Sequence, residues 1–228
     1  MPDLYSSGEY AARNPQWHQE HSQWKAMQVM RMLEKNSLQP SRLVEVGCGA
    51  GGILEYLHRQ LMPQPVCVGY EISPQAFSMA QQREARGLHY RYGAPLPEDA
   101  PYDVVLAMDV FEHVEDYLGF IPSLHSLTRW KIFHIPLDLT VLSVANPIYL
   151  NMAREQVGHL HYFTRETAIA SLIQAGLKVR DCFITSVELD QGAHGLKRAQ
   201  VLRKLLYTRH ADLAARWLGG FSLLVLAE

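Results

Sequence analysis

A carboxylate and a cluster of glycines stand together in LVEVGCGAGGILEYL, residues 43–57, and their spacing is the first hint of chemistry in the chain. The apolar run, the glycines and the helical pattern after them describe a strand turning tightly into a helix, with bare amide groups at the turn. Gly47, Gly49 and Gly52 satisfy GxGxxG, while Gly47, Gly49 and Gly51 satisfy the tighter GxGxG. Glycine is also recruited to such turns for steric reasons alone, so the neighbouring acids must discriminate. Glu71 follows Gly51 by 20 residues, where an acid closing the next strand can accept hydrogen bonds from both ribose hydroxyls of an adenosine. Glu45, two residues before the first glycine, would repel a pyrophosphate but attract a ligand carrying an ammonium and a sulfonium. That charge pattern favours S-adenosylmethionine.

Histidines supply the second set of candidates. His113 in DVFEHVED and His134 in KIFHIPLD each follow or end an apolar strand pattern, and His159 and His161 come later. Histidine titrates near neutral pH and can take a proton from a hydroxyl at the mouth of an open α/β sheet. For His113 the competing reading is a loop-holding cap made with Glu112. For His134 it is a core histidine.

These residues need a scaffold. Apolar β-branched runs alternate with helical patterns, which predicts a largely parallel sheet with crossover helices. Seven strands are expected, at residues 42–46, 66–71, 88–92, 102–108, 129–135, 177–185 and 221–227. Ser73 before Pro74, with Gly87 as a stop, brackets one helix; Thr164 and Gly176 bracket another. Residues 1–40 hold Tyr5, Tyr10, Trp17, His18, His21 and Trp24. They read as a helix with aromatics in its packed face, or as a lid over the site. Residues 136–163 are longer than a connection needs, and substrate choice is expected there. Residues 197–216 carry Lys197, Arg198, Arg203, Lys204, Arg209 and Arg216 against Asp212, and Leu202, Leu205, Leu206 and Leu213 can share one face. One amphipathic helix with a solvated basic face is expected, and an anionic substrate or membrane surface is the alternative use of that face.

The chain has 228 residues, 48% hydrophobic and 19% charged, with a formal charge of -2, as expected of one ordinary globular domain with no reason to bind nucleic acid. Cys48, Cys67 and Cys182 form no CxxC pair, so neither a zinc knuckle nor a disulfide framework is suggested. With no signal-peptide pattern and no bilayer-length apolar run, a cytoplasmic protein is expected.

Four segments in order, VEVGCGAGG, VGYEISPQAFSMA, YDVVLAMDVFEHVED and GHLHYFTRETAIASLIQAGLKV, resemble the class I S-adenosylmethionine-dependent methyltransferases, close to the type 11 and type 12 methyltransferase domains. The resemblance runs from about Leu43 to Val179. It implies an α/β, Rossmann-like, doubly wound sheet of seven strands, mostly parallel with an antiparallel last strand inserted between the fifth and sixth, and helices on both faces. FSLLVLAE suits that strand. The single domain would comprise an N-terminal cap (1–40), a cofactor half (41–135), a substrate-side insertion (136–163) and a C-terminal half (164–228) with final hairpin-like strands.

The same resemblance implies that Glu45, Gly47, Cys48, Gly49 and Gly51 hold the methionine end of the cofactor, that Glu71 binds ribose with Ile72 on adenine, and that Met108 and Asp109 border the methionine moiety. Relatives often carry a polar residue after the third strand to read adenine, whereas this chain has Gly93 and Ala94. His113 is the expected catalytic base, and Tyr10, His134 and His159 are expected near a small-molecule substrate. No metal is expected. The alternative is a divalent ion on Asp109, Glu112, His113 and His159, because some methyltransferases acting on hydroxyls use an ExxEH set with a distant histidine. Methyl transfer to an oxygen of a small molecule is the leading expectation. The alternatives are an inactive cofactor-binding sensor or partner subunit and, less favoured, a nicotinamide-dependent oxidoreductase.

Overall fold

The computed structural model describes residues 8–146, 148–191 and 198–228. Seven strands form one sheet: β1 (Arg42–Val46), β2 (Val66–Glu71), β3 (Leu88–Tyr92), β4 (Val104–Met108), β5 (Trp130–Pro136), β6 (Val179–Thr185) and β7 (Ser222–Ala227). Their order is β3-β2-β1-β4-β5-β7-β6. All pairs are parallel except those of β7, which runs antiparallel to both β5 and β6. The order reverses between β1 and β4, so the crevice at their carboxyl ends is where a ligand of such a sheet belongs.

The helices described are α1 (Glu9–Arg13), α2 (Ser22–Lys35), α3 (Gly52–Gln60), α4 (Pro74–Gln81), α5 (Tyr117–Ser123), α6 (Val141–Ala145), α7 (Ile148–Met152), α8 (Arg165–Gln174), α9 (Val187–Gln191), α10 (Arg198–Arg209) and α11 (Ala211–Leu218). Side chains alternate across a strand, and buried strands therefore feed two cores. Leu43, Leu106, Ile132 and Leu224 pack with Val29 and Met32 of α2, Leu54 and Leu57 of α3 and Ala80 of α4. Their neighbours Val44, Val105, Phe133 and Val225 face the other way, onto Ile121 of α5, Leu172 of α8 and Ala214 of α11. Helices thus cover both faces.

Local signals were met to different degrees. Thr164 caps α8, its Oγ1 accepting from the Thr167 amide at 3.2 Å, and Gly176 has φ +88° just beyond that helix. Ser73 occupies the N-cap of α4 with Pro74 at the first turn, but its hydroxyl donates to Gln75 at 3.0 Å instead of capping. Gly87, with φ +85°, serves the turn before β3, because α4 has already ended at Gln81. The expected single helix over 197–216 is two helices, α10 and α11, broken at His210. Of the expected apolar face, Leu205 and Leu213 are exposed, whereas Leu206 is partly buried against the core, and Ala214 and Ala215 of α11 are buried. Tyr5 and Lys197 lie outside the described residues, as do the side chains of Arg198 and Leu202. The hairpin-like pair β6 and β7 does lie side by side, but α9, α10 and α11 stand between the two strands in the chain. No helix among the described residues is long and apolar enough to cross a membrane.

Candidate active site at the carboxyl ends of β1 and β4

The glycines of the turn divide between two structural roles. Gly47, Gly49 and Gly51 have φ of +70°, +54° and +81°, the left-handed region that disfavours a side chain, whereas Gly52 is the first residue of α3. Gly47, Gly49 and Gly51 therefore carry the bends of the turn, while Gly52 serves close packing, since a Cβ there would stand 2.7 Å from Ser22 Oγ of α2. At Gly51 space is also limiting, since a Cβ would stand 2.6 Å from the Tyr90 ring, whose hydroxyl donates to the Gly51 carbonyl at 2.7 Å.

Glu45 comes from β1 and faces α2. It is 1% exposed, and its Oε2 has no hydrogen-bond partner. Burial, outweighing the nearby Lys25 and reinforced by Glu71 and Asp109, pushes its carboxyl up to about 8. A buried carboxylate without a partner is costly, and a ligand cation is what such a group lacks. Glu71 closes β2 with Oε2 accepting from the Gly49 amide at 2.7 Å and Oε1 from the Ser73 amide at 2.8 Å. It is thereby tied to the glycine turn, with burial raising its carboxyl despite those amides. Cys48 is buried in the turn, and Met108 is buried at the end of β4, while Ile72 is half exposed beside Glu71.

Asp109 adopts φ +56°, a rare conformation for a side-chain-bearing residue and one that persists where surrounding contacts hold it. Those contacts are Lys25 Nζ at 2.5 Å, from α2, and His134 Nδ1 at 2.5 Å, from β5. Burial alone would raise the Asp109 carboxyl, but His134 and Lys25 overcome it and hold it far below the usual carboxylate range. His134 also meets Thr185 Oγ1 at 3.1 Å, and the Trp24 ring stands edge-on to it at 6.0 Å. Expected near the substrate, His134 is instead 3% exposed with both ring nitrogens engaged. It acts as a strut between strand ends.

The residues after β4 form a second cluster. Phe111–His113 is a short 3-10 turn in which Glu112 is fully buried, with neither carboxylate oxygen hydrogen-bonded. Burial and then Asp109 push that carboxyl well above its ordinary range. The Glu112 carbonyl accepts from the amides of Leu160 and His161 at 2.9 and 3.1 Å, which pins the end of the insertion to this turn. His113 Nδ1 lies 3.1 Å from the Gly158 carbonyl, and His159 Nδ1 lies 2.5 Å from Asp138 Oδ2. Burial, helped by His159, lowers His113 to about 4, so its ring is neutral at pH 7. Ligand atoms of Glu112, His113 and His159 lie within 4.8 Å of one another. Asp109, grouped with them from the spacing, is turned toward Lys25 and His134.

The N-terminal segment closes over these groups. Tyr10 on α1 is 6% exposed, and burial, with Asp109, Glu112 and Glu71 adding to it, pushes its phenol up to about 12. Arg13 donates to the Glu155 carbonyl, and Asn14 Nδ2 to the Gln156 carbonyl at 2.9 Å. Both acceptors belong to a π-helical turn, Ala153–Val157, of the insertion. Before that turn, α6 and α7 expose Val141, Leu142, Val144, Ile148, Tyr149 and Met152.

Lys25, Asp138 and Thr185 were not anticipated from the sequence. Lys25 had a readable signal: it stands four and seven residues before Val29 and Met32, on the buried stripe of α2, where a lone cation needs an acid. Asp138 and Thr185 had none, since their partners are 21 and 51 residues away.

A family model described as a methyltransferase domain matches residues 17–181. The chain is 24% identical over 207 residues to the ubiquinone biosynthesis O-methyltransferase of Acinetobacter baumannii, covering 78% of this chain and 84% of that enzyme. It is 28% identical over 104 residues to the norajmaline N-methyltransferase of Rauvolfia serpentina, a match that spans 42% of this chain and 35% of that protein. Among solved structures, magnesium protoporphyrin IX methyltransferase of Synechocystis PCC 6803 with bound SAH is similar with a TM-score of 0.60 and 18% identity, over 90% of this chain and 83% of that one. A putative sarcosine dimethylglycine methyltransferase of Galdieria sulphuraria gives 0.61 and 15%, over 89% and 83%.

Proposed function

Because the chain belongs to the methyltransferase-domain family, whose methyl donor is S-adenosylmethionine, we propose that it methylates a hydroxyl oxygen of a small molecule with an apolar portion. The observation that carries the cofactor seat is Glu45, a buried carboxylate with an unpartnered oxygen beside a GxGxG turn. Its charge suits the ammonium of the methionine end, the turn amides suit the adjoining carboxylate, and Glu71 suits ribose hydroxyls. Ile72, half exposed beside Glu71, is proposed to pack on adenine, with Cys48, Met108 and the backbone at Asp109 bordering the methionine end. When bound, S-adenosylmethionine supplies a methyl group on a positively charged sulfur.

The protein's own task is then to align an oxygen and exclude water, which can contribute about 7 to 11 kcal/mol at best. The buried Tyr10 and Trp24, with α1 fastened to the insertion, support such an exclusion at the mouth. A neutral His113 offers an imidazole lone pair to the acceptor hydroxyl, and His159 stands beside it with ring centroids 4.8 Å apart. The exposed apolar residues of α6 and α7 favour an acceptor with a hydrocarbon portion, and the A. baumannii relative is named for O-methylation in ubiquinone biosynthesis. Calorimetric titration with S-adenosylhomocysteine tests the seat, and binding in the micromolar range is expected. A panel of phenols and catechols with and without alkyl tails, assayed for methyl transfer, tests the acceptor. Turnover only of amines or carboxylates would overturn the oxygen assignment.

A further inference from the structure

We infer that Arg83 is a positioning residue that couples the N-terminal segment to the glycine turn, so that order in the segment and binding of the cofactor reinforce each other. This coupling rests on the cofactor seat proposed above. The turn has carbonyls as well as amides, and so tight a loop can hold its amides toward a ligand only if its carbonyls are satisfied elsewhere. Two of them are held from outside the turn. The Tyr90 hydroxyl donates to the Gly51 carbonyl, and Arg83 Nε donates to the Ala50 carbonyl at 2.8 Å. Ala50 is buried, and a buried carbonyl that loses its donor is costly. Arg83 follows α4, and the next residue, Glu84, accepts from the Tyr90 amide at 3.0 Å, which anchors this stretch on β3.

The rest of the guanidinium reaches two other elements. Nη1 pairs with Glu55 of α3, whose other oxygen is met by Arg59 at 2.6 Å, and Nη2 donates to Gln19 Oε1. One planar group thus bonds the turn, the helix that follows it and the N-terminal segment, a fork that a lysine does not reproduce. Gln19 opens a short 3-10 turn, Gln19–His21, that leads into α2. Immediately before it, Trp17 and His18 both adopt left-handed backbone, at φ +50° and +51°, which side-chain-bearing residues keep only where contacts impose it. The bond to Arg83 is made at that corner. On one side of the corner the Tyr10 and Trp17 rings lie 4.7 Å apart between centroids; on the other, α2 carries Trp24 to His134 and Lys25 to Asp109. Beside the contact a groove of about 190 Å³ opens, lined in part by Gln19, Gln23, Tyr56 and Arg59, so polar bonds more than apolar packing make the connection at this point. Coupling between two sites is reciprocal: a cofactor that fixes the turn steadies the corner, and a released corner weakens the hold on the cofactor.

Two measurements on the full chain test the coupling: calorimetric affinity for S-adenosylhomocysteine, and amide hydrogen exchange of residues 9–24 with and without that ligand at saturation. In the wild type the ligand should slow exchange of the segment roughly tenfold. Gln19→Leu removes the acceptor at similar size, and it should weaken binding about three- to tenfold and abolish most of the protection. Gln19→Glu keeps an acceptor for Arg83 and should retain both, whereas a steric role for the side chain would leave the two variants alike. Arg83→Lys should weaken binding at least as much as Gln19→Leu, and adding Gln19→Leu to it should change nothing further. If Arg83→Lys fails to fold, the two Gln19 variants decide alone. Wild-type affinity and protection in Gln19→Leu, or additive losses in the double variant, overturns the coupling while leaving the cofactor seat in place. Absence of S-adenosylhomocysteine binding in the wild type overturns the seat, and the coupling with it.

Discussion

Binding of the cofactor's methionine end should release a proton, and Glu45 is the reason. Its carboxyl titrates near pH 8 in the unliganded protein, because burial disfavours the charge and Glu71 and Asp109 oppose it, with Lys25 only partly compensating. At pH 7 roughly a tenth of the chains carry it ionised. An ammonium beside it favours the ionised form and brings its pKa down, so each binding event at pH 7 should expel close to one proton, and at pH 9 almost none. Affinity for S-adenosylhomocysteine should therefore fall about tenfold for each pH unit below 8, giving a dissociation constant about fiftyfold larger at pH 6 than at pH 8. Calorimetry in buffers of different ionisation enthalpy counts the protons directly. Glu45→Gln should bind more weakly at pH 8 and lose both the proton release and most of the pH slope. The stability of the unliganded protein carries the same signature. The folded pKa is raised, so this contribution is complete below about pH 4.5 and is lost as pH rises through 8, at up to about 1.4 kcal/mol per pH unit. A flat affinity profile between pH 6 and 8 in the wild type would refute the assignment of Glu45 to the ammonium.

Two further perturbations probe the frame around it. Lys25→Ala leaves Asp109 without the ammonium that sits 2.5 Å away, and it should cost about 3 kcal/mol in urea unfolding, as breaking a mostly buried ion pair does. Gly51→Ala places a Cβ 2.6 Å from the Tyr90 ring at φ +81°; the left-handed penalty and the clash together should cost about 2 to 4 kcal/mol by the same measurement.

Short-range chemistry was legible in the sequence, and long-range chemistry was not. The strands could be read because their apolar runs are local, and the turn because only glycine tolerates its backbone; the antiparallel β7 followed from the family resemblance. Between GxGxG and GxGxxG the letters were silent, because the left-handed bend at Gly51 and the close approach of Ser22 to Gly52 each require a glycine for a different reason. His134 looked equally like a mouth residue and a core residue, because its two partners lie 25 and 51 positions away. The metal alternative grouped Asp109 with Glu112, His113 and His159 on spacing alone, but the Asp109 side chain is claimed by a lysine in a helix that precedes the first strand. The break at His210 was hidden by basic residues that suit one long helix as well as two short ones.

The closure of the N-terminal segment has a consequence for evolution. Arg13 and Asn14 fasten α1 to the insertion through the carbonyls of residues 155 and 156, not through their side chains. Every amino acid offers that carbonyl, so positions 155 and 156 can drift freely while the clasp survives. On the proposed substrate-side role of the insertion, its sequence could be rewritten for a new acceptor without the enclosure having to be invented again. Only the handedness of the turn and the glycine at 158 that ends it, at φ +80°, need to be kept.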